Sequence, residues 1–171
     1  MSGPSLKLAI KDDVQPVCYH KPNTLPLHWR EQVKEELNKD EKMGIIEKVP
    51  ANEPSIWCHK MVVTTKPGSK KLRRTVDMSG LKKASYRMTH PGLSPFLQAQ
   101  DIPPNSYKTV TDAWQGFHMI PLDPESIKYT TFITEFGRYR YKRMPQGDQV
   151  SMDAYNFRFD KITSKVNNKK Q

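Results

Sequence analysis

The chain has 171 residues, 36% of them hydrophobic, and a mean hydropathy of −0.77. By length it is one domain or a piece of a larger one, with little apolar surface for a self-sufficient core. It contains no apolar run long enough to span a membrane, no signal-peptide core and no cysteine framework beyond Cys18 and Cys58, so a reduced, intracellular protein without a membrane partner is expected.

Lys+Arg 28 against Asp+Glu 18 leaves a net charge of +10 and a pI near 9.6, which favours a polyanionic partner over a merely soluble cationic surface. Cys18 with His20 and Cys58 with His59 match none of the usual zinc-ligand spacings.

Residues 1–26 carry four prolines and no sustained period, and read as an N-terminal arm with a short strand around Leu6 to Ile10. Leu27 to Met43 is predicted to be a helix: Pro26 precedes it, Trp29, Val33 and Leu37 repeat at helical spacing, and Gly44 suits the residue after its end. Asp40 interrupts the apolar stripe, so the last turn is expected to fray or face solvent. An extended segment from Ile45 runs to Pro50.

Trp57 to Thr65 and Leu72 to Met78 read as a hairpin around Pro67-Gly68. Lys66, Lys70 and Lys71 crowd its tip, and Arg73 and Arg74 follow on the return strand. Such crowding favours a bound phosphate, although charge also protects a hairpin edge from aggregation. Leu81 to Pro104 is expected to be a long irregular connection.

Tyr107 to Asp112 alternates like a strand and ends on a carboxylate, and a turn at Gly116 presents Phe117. A carboxylate at a strand end can hold Mg²⁺ together with substrate phosphates, with the ring walling the pocket beside it. Asp123-Pro124-Glu125 is a helix cap rather than a ligand set.

Tyr129 to Thr134 and Arg138 to Arg143 read as strands about a turn at Phe136-Gly137, with Arg138, Arg140 and Lys142 on one face and Tyr139 and Tyr141 on the other. Interleaved cations and aromatics suit nucleic acid. Gln146 and Gly147 form a corner able to approach a ligand closely, and Ser151 to Ile162 reads as a helix.

The order of these pieces is more specific than any one of them. Gly44-Ile-Ile-Glu47, Lys66, Arg73 with Asp77 and Leu81, Thr111-Asp112-Ala113 with Gly116-Phe117-His118 and Ile120-Pro-Leu122, Thr130-Thr-Phe-Ile-Thr134, Gly137-Arg-Tyr-Arg-Tyr141 and Pro145-Gln-Gly147 follow in series. That series resembles the reverse transcriptase of retroviral and gypsy-type LTR-retrotransposon Pol polyproteins, over residues 22–165.

The resemblance implies an α+β fold, reverse-transcriptase fingers and a partial palm, with an antiparallel sheet and packed helices in an incomplete right-hand polymerase. Residues 1–26 would be an arm, 27–104 fingers, 105–122 palm with motif A, 123–150 a return to the fingers and 151–171 a palm helix. Asp112 would be the catalytic carboxylate for Mg²⁺ or Mn²⁺, with the Ala113 carbonyl as a second ligand.

Lys66 and Arg73 would grip the incoming dNTP, Phe117 would exclude a 2′-hydroxyl, and Gln146 and Gly147 would contact sugar and template. Lys70, Lys71, Arg74, Arg138, Arg140 and Lys142 would face the RNA/DNA template-primer. The rest of a Pol polyprotein would be a further partner.

The family's second carboxylate motif has no counterpart here, and Lys82 and Asp148 depart from its pattern. One carboxylate cannot offset the repulsion of two divalent ions, so the chain alone is expected to be inactive and marginally folded. A non-catalytic nucleic-acid-binding module is the alternative, and an unrelated basic interaction domain a third.

Overall fold

The computed structural model describes residues 3–65, 68, 71–90, 94–100, 102–107, 109, 112–146 and 149–167. Its elements in chain order are α1 (Arg30–Lys42), β1 (Ile46–Lys48), β2 (His59–Thr65), β3 (Leu72–Asp77), α2 (Ser79–Ala84), α3 (Pro95–Gln100), α4 (Pro124–Ile127), β4 (Phe132–Thr134), β5 (Gly137–Tyr141) and α5 (Gln149–Asn167). Short 3-10 turns at Leu27–Trp29, Gly116–Met119 and Lys128–Thr130 join them.

The five strands form one sheet in the order β1-β5-β4-β2-β3. The hairpin forms as predicted, with Met61 opposite Val76 and Thr64 opposite Arg73. The sheet is not wholly antiparallel: β2 and β4 run parallel, His59 opposite Phe132. Two strands so far apart in sequence meet through a long crossover, which a strand's local pattern does not encode.

The core sits where α1 lays its stripe on this sheet. Val33, Leu37, Phe132, Leu81, Ile120 and Met144 are fully buried. Gly44 closes α1 at φ 65, a left-handed conformation that glycine adopts without a Cβ clash. Alternation in β5 sends Tyr139 and Tyr141 inward, where both rings pack on Phe132.

The N-terminal arm docks on the fold: Leu6 and Leu8 are buried, and Leu6 bonds across to Pro121 and Asp123. Two expectations change. Asp40 does not fray into solvent but forms an ion pair with Arg74 of β3. The connection from Leu81 carries α2 and α3, because Leu81 and Ala84 at helical spacing share one buried face.

Of the expected strand Tyr107 to Asp112, Lys108, Val110 and Thr111 lie outside the described residues, and Tyr107, Thr109 and Asp112 carry no strand assignment. The cap at Asp123 stands as expected, its side chain accepting from Glu125 N at 3.0 Å with proline at the first helical position. Among the described residues no helix is long and apolar enough to cross a membrane.

Candidate active site

The segment from Asp112 to Leu122 is bent in the middle and held at its Leu122 end, where Leu122 N donates to Lys142 O. Gln115 takes a left-handed turn (φ 47), and Gly116 starts the 3-10 turn that carries Phe117 and His118. Gly116 is needed for closeness: a Cβ there would lie 2.7 Å from Tyr155 Cε2 of α5. The same tyrosine backs Phe117, the ring centroids standing 5.4 Å apart at 49°. Phe117 is half-buried, and Asp112 and Ala113 are exposed.

His118 ties this turn to the strand leading to Gln146. Its Nδ1 lies 3.0 Å from the Met144 carbonyl, its ring stacks on Tyr141, and its own carbonyl accepts from Arg143. Burial holds the His118 pKa below its ordinary value, so the imidazole is kept neutral. Further on, Met144 N donates to Ile120 O and Leu122 N donates to Lys142 O, each at 2.9 Å. The backbone around Gln146 is therefore fixed relative to Phe117. Gln146 itself is exposed, and Gly147 lies outside the described residues.

Two small cavities flank the turn. One of about 280 Å³ lies between Trp114, Gln115, Met119 and Arg143. Another, of about 230 Å³, joins Gln115 to Arg74, Asp40, Glu36 and Lys39. This second cavity meets β3 through Arg74; Arg73, on the opposite face of the strand, is exposed and does not line it. Lys71 is exposed at the start of β3, and Lys66 and Lys70 of the hairpin tip lie outside the described residues.

Several cations expected to face nucleic acid are engaged within the fold. Arg74 points inward with its side chain 8% exposed, paired with Asp40 and 3.8 Å from Glu36. Strand alternation puts it on the buried face with Val76, opposite to Arg73. Arg138 donates to Ser55 Oγ and to the carbonyls of Pro50, Ala51 and Glu53, closing that loop. Arg140 bonds Glu47 and Glu53, and Lys142 lies 3.5 Å from Glu47.

Sequence reasoning missed Tyr155, whose only signal is its place one turn from Ser151 on a half-buried helix. It also missed Asp40 as the partner of Arg74. Among the described residues no group of three histidines, cysteines or acids is gathered to hold a metal. Asp112 is not gathered with other acids among the described residues, which therefore do not fit a two-ion centre.

No protein-family model matches the chain. It is 29% identical over 157 residues to the retrovirus-related Pol polyprotein from transposon opus of Drosophila melanogaster, covering 86% of the chain and 15% of that protein. It is 34% identical over 138 residues to the corresponding polyprotein from transposon 297 of the same organism, covering 75% and 12%. The chain thus spans less than a sixth of the length of either relative.

Among solved structures, the foamy viral protease-reverse transcriptase in complex with RNA/DNA hybrid superposes at a TM-score of 0.80, with 16% identity, over 95% of this chain and 21% of that one. A Prototype Foamy Virus protease-reverse transcriptase gives a TM-score of 0.77 and 19% identity, over 92% and 21%.

Proposed function

We propose, from the premise that this chain is homologous to a segment of retrotransposon Pol polyproteins and has the reverse-transcriptase fold, that it is the nucleotide-gripping part of a reverse transcriptase. The activity would be template-directed transfer of deoxynucleotides to a primer 3′ end on RNA or DNA. One observation carries this reading: His118, beside Phe117 on the turn, is bonded to the Met144 carbonyl on the segment leading to Gln146, which holds those two expected nucleotide contacts together.

In this reading Arg73 holds the triphosphate with its planar fork, and Lys66 adds a point charge. Phe117, braced by Tyr155, fills the space a ribose 2′-hydroxyl needs, and Gln146 and Gly147 meet the sugar and template. Asp112 would contribute one carboxylate to a Mg²⁺ or Mn²⁺ site completed by other groups, and a bound cation would supply charge that offsets the phosphates. Lys70 and Lys71 extend the basic edge toward the template-primer. The remaining carboxylates come from the rest of a Pol polyprotein.

Two experiments test the proposal. The isolated chain should bind an RNA–DNA duplex in a salt-sensitive manner yet extend no primer with Mg²⁺; extension would overturn the expected dependence on further carboxylates. In a complete reverse transcriptase containing this chain, Phe117→Val should raise ribonucleotide incorporation by about tenfold or more, roughly 1.4 kcal/mol of discrimination. Unchanged sugar selectivity would remove Phe117 from the gate.

A second reading, binding without chemistry, is favoured by the lack of a three-acid cluster among the described residues. It predicts that Asp112→Asn leaves duplex affinity untouched and that no longer form of the protein polymerises.

A further inference from the structure

The chain's two cysteines, Cys18 of the arm and Cys58 just before β2, are brought face to face by the fold. Cys58 N donates to Val17 O and Tyr19 N donates to Cys58 O, each at 2.9 Å, so Cys18 lies directly opposite Cys58 in a parallel bridge. β3 pairs with β2 only as far as Asp77 opposite Lys60, which leaves the backbone of Cys58 to the arm. Asn23 Nδ2 donates to Met61 O at 3.0 Å and Lys60 Nζ stands 4.8 Å from the Tyr19 ring, pinning the arm along β2.

Residues opposite one another on paired strands point their side chains to the same face, with backbones about 4.8 Å apart. That spacing falls within the Cα separation of about 4.4–6.8 Å that a disulfide spans. Both cysteines are free, and both line one open cavity of about 900 Å³ with His20, Lys48 and Arg138. Among the described residues no third histidine, cysteine or acid joins them in a metal-binding group, so a zinc shell is not what pairs them.

The two thiols are not alike. Cys18 is half-buried, and its Sγ donates to the Ser55 carbonyl at 3.3 Å. Cys58 is 2% exposed, and burial pushes its thiol pKa up to about 11, with Cys18 beside it adding to the rise. Attack on an incoming disulfide therefore falls to Cys18, and Cys58 is left to resolve the product.

We propose that Cys18 and Cys58 are a reversible dithiol–disulfide pair, oxidised by exchange with a small disulfide of the glutathione type that enters the cavity, and that the bond straps the arm to β2. The Cys18 thiol loses its proton to solvent, and its sulfur attacks one sulfur of the small disulfide, whose S–S bond breaks. The first small thiolate leaves and takes up a proton. Cys58 then gives up its proton and its sulfur attacks Cys18 Sγ. The mixed S–S bond breaks, and the second small thiolate leaves and is protonated in turn. Two protein S–H bonds become one S–S bond, and two electrons and two protons pass to the oxidant. In a reducing cytosol such a bond is transient rather than structural. None of the residues around Phe117 takes part.

The test is incubation of the full chain with oxidised glutathione, followed by intact mass, non-reducing peptide mapping and thermal unfolding. Wild type should lose two hydrogens in mass, yield a linked peptide containing Cys18 and Cys58, and recover both thiols in dithiothreitol. Closing a loop of about 40 residues should raise Tm by about 5 °C or more over the reduced chain. Cys58→Ser should stop at a glutathionyl adduct on Cys18, and Cys18→Ala should leave Cys58 unmodified over the same time.

Wild type that stays reduced, that stops at an adduct on Cys18, or that forms a disulfide only between two chains overturns the pair. An adduct on Cys58 in Cys18→Ala overturns the order of attack. Should either variant be misfolded, the wild-type linked peptide and its Tm decide alone, and an oxidised Tm at or below the reduced one overturns the strap.

Discussion

Replacing Gly116 with alanine sets two effects of opposite sign against each other. Gly116 has no left-handed backbone to protect, so alanine fits its conformation. By restricting the unfolded chain, that change alone would stabilise by about 0.4–1 kcal/mol. The added methyl, however, would stand 2.7 Å from Tyr155 Cε2 and 3.1 Å from Cζ, atoms of a rigid ring.

Moving that ring costs about 1–3 kcal/mol, the usual range for overpacking. Overpacking wins, and Gly116→Ala should lower stability by about 0.5–2 kcal/mol, a fall in Tm of about 1–8 °C at this length. Urea unfolding followed by far-UV circular dichroism measures it. The decisive comparison is with Tyr155→Ala. In that background the obstruction is gone, and Gly116→Ala should become stabilising by about 0.4–1 kcal/mol. If alanine destabilises by the same amount in both backgrounds, the close approach of Tyr155 is not why residue 116 is glycine.

Other outcomes follow from single contacts. Asp40→Ala should cost about 2–4 kcal/mol, because it takes from the buried Arg74 its nearest acid and leaves Glu36 at 3.8 Å and the Tyr141 hydroxyl, whereas Asp40→Leu with Arg74→Met should be near neutral by urea unfolding. Asp123→Ala removes the oxygen that accepts from Glu125 N and should lower stability by about 1 kcal/mol in the same assay.

Burial pushes the His59 and His118 pKa values below 6.5, and His59 Nδ1 is buried without a hydrogen-bond partner. Below that pH the unfolded chain takes up protons that the folded chain resists, so stability falls with acidification and is flat above it. The urea midpoint should therefore drop between about pH 7 and pH 5.5, and less so in His59→Gln. A midpoint that rises over that interval would contradict the assignment.

The charge map alters what a net charge of +10 means. Arg74, Arg138 and Arg140 pair with acids or cap carbonyls inside the fold, so they brace the sheet and its loops. The cations that remain exposed toward a polyanion include Arg73 on β3 and Lys82 and Lys83 on α2. A surface argument from composition alone therefore counts the wrong arginines.

What could be read from the residues in order was whatever depends on near neighbours. The α1 stripe of Val33 and Leu37, the hairpin, the Asp123 cap and the in–out alternation of Tyr139 and Arg140 all follow from helical or strand periodicity and local capping. The reverse-transcriptase resemblance was likewise legible, because it lies in the serial order of short motifs.

Tertiary structure alone decided which element each face would meet. The residues in order left Asp40 facing solvent and Arg74 facing nucleic acid; only the packing of α1 on β3 turns the two toward one another. Tyr155 against Gly116, the parallel pairing of β2 with β4, and Lys11 beside Lys83 are contacts between distant parts of the chain. Such contacts form only when the chain folds back and buries the common core, so no local pattern carries them.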